Sequence, residues 1–257
     1  TDILDVARPA TTPDKEPPMT VLSSSVVELR QYTLHPGGRD VLIELFEREF
    51  IETQEALGMR VIGQFRDVAD PNRFVWLRGY PDMDVRKAGL TGFYVEGATW
   101  KKHGAAAGAT MVDSHDVHLL RPVTSDSGFA AEGERPPVGA AAPESRFMAT
   151  VLYRDAPVDE AFNAFFDGEV APFLMEIGAA PVARYQTEPA ENNFPRLPVR
   201  TGENVFVWFT RFADADRHRD HLDRLASSRK WTDHIKPALA AKLERLTLVP
   251  TARSLVR

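Results

Sequence analysis

Apolar and polar positions alternate along residues 26–34 (VVELRQYTL), the two-residue period of a β-strand. The period then changes. Val41, Leu42, Leu45, Phe46, Phe50 and Leu57 recur at helical spacing over residues 39–57, after a turn at Gly37 and Gly38. Gly58 suits the helix C-cap. Residues 59–68 and 73–80 read as strands joined by Asp70-Pro71-Asn72, a hairpin signal. A second helical region runs to about residue 103, and a last strand near 115–121 ends at Pro122. The order then returns: strand 147–154, helix 158–177, strands 181–188 and 204–212, a helical region 214–241 and strand 244–249. Residues 1–25 show no apolar period and read as a mobile extension, in which Met19 would suit a start site; 123–146 read as a linker, and 251–257 as a tail.

Residue matches between the halves accompany this recurrence. FVWLRGYPD at 74–82 answers FVWFTRFAD at 206–214, and WKKH at 100–103 answers WTDH at 231–234. Upstream, Phe46, Glu49 and Gly58 align with Phe166, Glu169 and Gly178, and Tyr32 is placed against Tyr153. The spacing lengthens between the second and third strands, where the second half carries ENNFPRLPVRTGE, as expected of an insertion in a hairpin loop. The predicted fold is α+β: a tandem duplication of a ferredoxin-like β-α-β-β-α-β unit, repeat 1 at 26–122 and repeat 2 at 147–250. Each unit leaves one sheet face bare, and the two bare faces are expected to bury each other as a closed or nearly closed barrel.

Composition narrows the function classes. The formal net charge of −6 argues against a nucleic-acid surface, and no apolar run is long enough to span a membrane. The absence of cysteine excludes thiolate catalysis and Cys-ligated metals. The N-terminus lacks the apolar core of a secretory signal, so a cytoplasmic location is expected. Nucleotide-binding and common hydrolase motifs are missing, and no organic cofactor is predicted.

The run VELRQYTL with its Gly pair, the FVWLRGYPD strand, WKKH and the closing MVDSHDVHLLRP resemble the NIPSNAP family. The resemblance is close over 26–122 and weaker over 147–250. It implies the dimeric α/β-barrel fold, a group that also holds cofactor-free monooxygenases, isomerases and haem-dependent enzymes, and implies no particular activity. His115 and His118 in the final strand depart from the family pattern.

Alternation puts Glu28, Arg30 and Tyr32 on one face of the first strand, and Trp76, Arg78 and Tyr80 on one face of the third. With the apolar faces assigned to the helices, these polar and aromatic faces are expected to line the barrel interior as a pocket for a small, planar or anionic ligand. Glu28 would be a base with a raised pKa, Arg30 and Arg78 anion stabilisers, Tyr32 a proton donor or orienter, and Trp76 and Tyr80 walls. The plainer alternative is a stabilising Glu28–Arg30 pair. Ala149, Val151 and Thr210 are matched to Glu28, Arg30 and Arg78, leaving the second half more apolar.

Glu49 shares the helical stripe and is a possible buried carboxylate, or an edge residue paired with an arginine. Trp100 and His103 lie three apart on one helical face, for stacking and proton transfer or for a structural role shared with Trp231 and His234. His115 and His118 would point to opposite sides of a strand, so no metal site is expected, and His218 and His221 read as a solvated surface.

Three functions follow as expectations. The first is a cofactor-independent enzyme acting by proton transfer, cyclisation or oxygenation on a small aromatic or polyketide-like metabolite. The second is a non-catalytic binding or scaffolding protein, which a barrel packed solid by Trp76, Trp208, Phe206 and Phe212 would favour. The third is haem binding through His103. A homo-oligomer is compatible with each.

Overall fold

The computed structural model describes residues 24–130, 133–239 and 242–257, so nearly all of the expected extension 1–25 lies outside the described residues. The first half runs β1 (Val26–Leu34), α1 (Gly38–Leu45), a π turn (Phe46–Phe50), α2 (Ile51–Glu55), β2 (Arg60–Asp67), β3 (Arg73–Tyr80), α3 (Met83–Thr91), a second π turn (Gly92–Glu96), α4 (Ala98–Gly108) and β4 (Met111–Pro122). The second half repeats the order: β5 (Arg146–Arg154), α5 (Glu160–Phe165), a π turn (Phe166–Val170), α6 (Ala171–Glu176), β6 (Pro181–Thr187), β7 (Asn204–Phe212), α7 (Ala215–Ser227), a π turn (Lys230–Ile235), α8 (Lys236–Leu239) and β8 (Lys242–Pro250).

Local chemistry sets these boundaries. Asp82, Asp159 and Asp214 cap α3, α5 and α7 by accepting from the backbone N–H three residues on. Gly58 ends the first helical segment with φ 79°, the left-handed conformation that glycine adopts without a Cβ clash.

The eight strands close into one antiparallel barrel in the order β1-β3-β2-β8-β5-β7-β6-β4. Each half contributes a four-stranded sheet, and the two join at β2–β8 and β4–β6.

The barrel faces are the reverse of the expectation. The bore holds Val27 and Leu29 of β1, Val75 and Leu77 of β3, and Val205 and Val207 of β7, closed by Phe65 and Phe147. Tyr32, Trp76 and Tyr80 instead pack outward against Phe46, Phe50 and Phe93 of the helical layer. The reason is that β1 is buried on both faces, so polarity does not mark the inner one. An eight-stranded barrel is just wide enough inside for packed side chains or one small ligand, and here the compact Val and Leu residues occupy it. The bulky aromatic and arginine residues take the wider layer under the helices. The bore is therefore packed, but by a different set from the one expected. Trp208 and Phe206 belong to the second helical layer, and Phe212 to a small cluster with Met148.

The segment between β4 and β5 also packs. Phe129 packs at a tilt on Phe209 and edge-on against Phe147, its N–H donates to the Tyr185 hydroxyl, and Arg135 donates to Glu55 and to the Val61 and Arg253 carbonyls.

Candidate functional site

Antiparallel pairing places Arg78 opposite Glu28, and Trp76 opposite Arg30. All four side chains face the helices of the first half, where α3 brings in Arg86. Glu28 becomes the centre of a buried cluster. Its Oε2 accepts from Arg30 Nη1 (2.9 Å), Arg78 Nη2 (2.7 Å) and Nε (3.1 Å), and the Tyr80 hydroxyl (3.1 Å). Its Oε1 accepts from Arg86 Nη2 (2.7 Å) and Nε (2.9 Å). The glutamate and the three arginines are at most 1% exposed.

Three guanidinium groups thus face one carboxylate, a surplus of two buried positive charges, and among the described residues no second carboxylate pairs with them. Aromatic faces carry part of the surplus. Arg78 lies 4.9 Å from the Trp76 ring centroid and 5.7 Å from that of Tyr94, and Arg30 lies 5.5 Å from that of Tyr32.

Burial by itself would raise the Glu28 pKa, but Arg78, Arg30 and Arg86 outweigh it and hold the group well below the usual carboxylate range. The direction is opposite to the raised pKa expected of a general base. Burial pushes Tyr32 and Tyr80 up, so both stay neutral phenols.

A cavity of about 230 Å³ adjoins the cluster between the sheet and the helices. Tyr32, Trp76, Gln54, Tyr94 and Trp100 line it. Three of these touch the arginines. The Tyr32 hydroxyl accepts from Arg30 Nε (3.1 Å), and Gln54 Oε1 and the Tyr94 hydroxyl accept from Arg78 Nη1 (2.8 and 3.2 Å). Among the described residues the buried Trp76 indole N–H has no acceptor. The wall is therefore aromatic and rich in donors, and it has positive charge directly behind it. It suits a small planar ligand bearing anionic oxygen.

The structure gathers Glu28, Arg30, Arg78 and Tyr80 into the cluster, and Tyr32, Trp76 and Trp100 into the cavity wall. Gly104 seats Trp100, since a Cβ there would come within 2.7 Å of the indole. His103 and Glu49 lie apart from the site. They pair with each other at 3.5 Å on the outer side of the helices, and Glu49 also pairs with Arg48, so it is not a buried carboxylate. His218 and His221 are buried rather than solvated, because they pack on Phe212. His115 is exposed and His118 buried; among the described residues no group of His, Asp and Glu could hold a metal.

Arg86, Gln54 and Tyr94 escaped the sequence reading. A signal existed for Arg86, which stands four residues before buried Leu90 on the inner face of α3. Contacts from the second half left no local signal: Asn192 and Asn193 accept from Arg86 Nη1 at 3.0 and 2.8 Å.

Pairing register corrects the comparison of the halves. Thr150 pairs with Trp208 as Arg30 does with Trp76, and Met148 pairs with Thr210 as Glu28 does with Arg78. The positions matching Glu28, Arg30 and Tyr32 are therefore Met148, Thr150 and Leu152, not Ala149, Val151 and Tyr153. A one-residue slip along a strand reverses the face, and Ala149, Val151 and Tyr153 in fact turn towards the bore. The corrected register still leaves the second half without the charge cluster.

Haem does not fit this site. A cavity of about 230 Å³ is too small for a tetrapyrrole, and His103 is not on its wall.

The fold recurs in solved structures. One is a provisionally named monooxygenase from Lactobacillus acidophilus, 13% identical, with TM-score 0.51 and coverage of 90% of this chain and 97% of that one. An anthrone oxidase-like protein is 10% identical, with TM-score 0.56 and coverage of 89% and 92%. A DypB variant from Rhodococcus jostii RHA1, solved in complex with haem, is 9% identical, with TM-score 0.50 and coverage of 91% and 95%. These identities speak for the fold alone. No curated relative matches the chain. The NIPSNAP family model matches residues 27–126, the stretch that carries β1 to β4 and the charge cluster. By that match, the first half of this chain is a NIPSNAP domain.

Proposed function

We propose that this protein binds a small aromatic anion in the cavity of its first half and promotes proton transfer, cyclisation or oxygenation without an organic cofactor. The observation that carries this reading is the buried surplus of two positive charges behind a donor-rich aromatic wall. Two buried charges offset by aromatic faces and neutral acceptors rather than by carboxylates are costly, and an anion offsets that cost. The same field favours the enolate or phenolate form of a bound enol or phenol. Such an anion is electron-rich, and can take a proton at carbon or pass an electron to dioxygen.

In this reading Arg30 and Arg78 stabilise the anion through the Tyr32 and Tyr94 hydroxyls, and Glu28 fixes the guanidinium groups instead of acting as a base. The matching elements of the two halves are read as a duplication in which only the first copy kept the polar site.

Bound 1-naphthol tests the electrostatic part. Its apparent pKa, followed by absorbance, should fall by about one unit or more on the wild-type protein. In Arg30→Met and Arg78→Met it should return toward the free value, with folding checked by melting. A bound naphthol with an unchanged or raised pKa contradicts the proposal.

Binding without turnover is a second reading. It is favoured because the Glu28 pKa is held low while those of Tyr32 and Tyr80 are pushed up, so none of the three is poised as a base near neutrality. Dioxygen uptake over bound 1-naphtholate supports turnover, and stable binding with no uptake supports the second reading.

A further inference from the structure

The cavity of the first half is closed in part by a segment of the second. Between β6 and β7 the chain crosses to the first helical layer and returns. Both ends of this strap are tied to β4, where Glu188 N–H donates to the Leu119 carbonyl at 2.9 Å and Arg200 N–H to the Val117 carbonyl at 2.8 Å. Pro189, Pro195 and Pro198 restrict its backbone. Its middle is held by the charge cluster. Arg86 uses one edge to grip Glu28 and its Nη1 to donate to Asn192 and Asn193. Asn193 Nδ2 donates to the Met83 carbonyl, and Asn192 Nδ2 donates to the Leu197 carbonyl at 2.9 Å.

These bonds fix two apolar side chains over the site. Phe194 is buried in the first-half core, 6.5 Å from the Tyr94 ring, and Leu197 forms part of the cavity wall. Leu197 is the strap's contribution to that wall, opposite groups supplied by the sheet and helices of the other half.

We infer that the strap is the specificity element of this site, with Leu197 setting the size of ring system admitted and Arg86, through Asn192 and Asn193, positioning it. The inference rests on the reading of the cavity as a binding site for an aromatic anion. Scale supports a size filter: a dry cavity of about 150 Å³ admits benzene, so one of about 230 Å³ suits a substituted single ring or a compact bicycle. A single side chain on the wall then decides between neighbouring sizes.

The test uses the intact chain and three fluorescent or absorbing carboxylates of increasing size: benzoate, 2-naphthoate and anthracene-2-carboxylate. Leu197→Ala should shift the affinity ratio of anthracene-2-carboxylate to 2-naphthoate upward by about tenfold, and Leu197→Phe should shift the ratio of 2-naphthoate to benzoate downward by a similar factor. A folding defect cannot produce opposite shifts in two variants, and melting curves provide a second check. If wild-type protein binds 2-naphthoate but both ratios stay put in the variants, the strap inference is overturned while the cavity reading stands. If wild-type protein binds none of the three, the cavity reading and this inference fall together.

Discussion

Two opposing forces act on Glu28. Burial penalises its charge, and three guanidinium groups reward it; the guanidinium groups win. The carboxylate is therefore an anchor, and removing it leaves three buried cations facing one another. Glu28→Gln should destabilise the protein by about 3–5 kcal/mol, the usual loss when one partner of a buried ion pair is removed, read from denaturant unfolding. The pH dependence has a definite sign. The folded-state pKa is depressed below the ordinary 4.5, so the stabilisation is fully present above that value and is lost as pH falls below it. The melting temperature of wild-type protein should drop steeply on acidification there. A flat acid limb would mean the cluster contributes nothing.

At the scale of elements, the pairing of β1 with β3 and the capping of α3 are what bring the cluster together. Strands and helices were legible in the sequence because their periods differ. The face of each strand was not. β1 is buried on both sides, so alternation sorted Glu28, Arg30 and Tyr32 from Val27 and Leu29 correctly without revealing which set met the helices. The aligned tyrosines, Tyr32 and Tyr153, misled the register by one residue, whereas the neighbouring tryptophans Trp76 and Trp208 kept it. Arg86 was hidden because its partner lies 58 residues away along the chain, and no local pattern records that contact. The second half supplies a natural control. Replacing Glu28→Met, Arg30→Thr, Arg78→Thr and Arg86→His copies Met148, Thr150, Thr210 and His218 into the first half. Because the whole ionic set is removed together and no buried charge is left unpaired, this variant should still melt cooperatively. It should also lose the acid sensitivity and the naphthol pKa shift together. Retention of the shift would place its origin elsewhere.

Across the whole molecule, the barrel acts as a scaffold whose interior, among the described residues, is packed with side chains. Its bore is filled by valine, leucine and phenylalanine, and its closure fixes the second half against the first. That closure lets the strap from one half complete a cavity in the other, so the polar chemistry is confined to one side. The most direct test compares 2-naphthoate with the uncharged, nearly isosteric 2-naphthamide by titration calorimetry on the wild-type protein. The carboxylate should bind measurably, about tenfold or more tighter than the amide, with the preference abolished in the four-residue variant. Equal affinity for the two, or a preference for the amide, would contradict this reading.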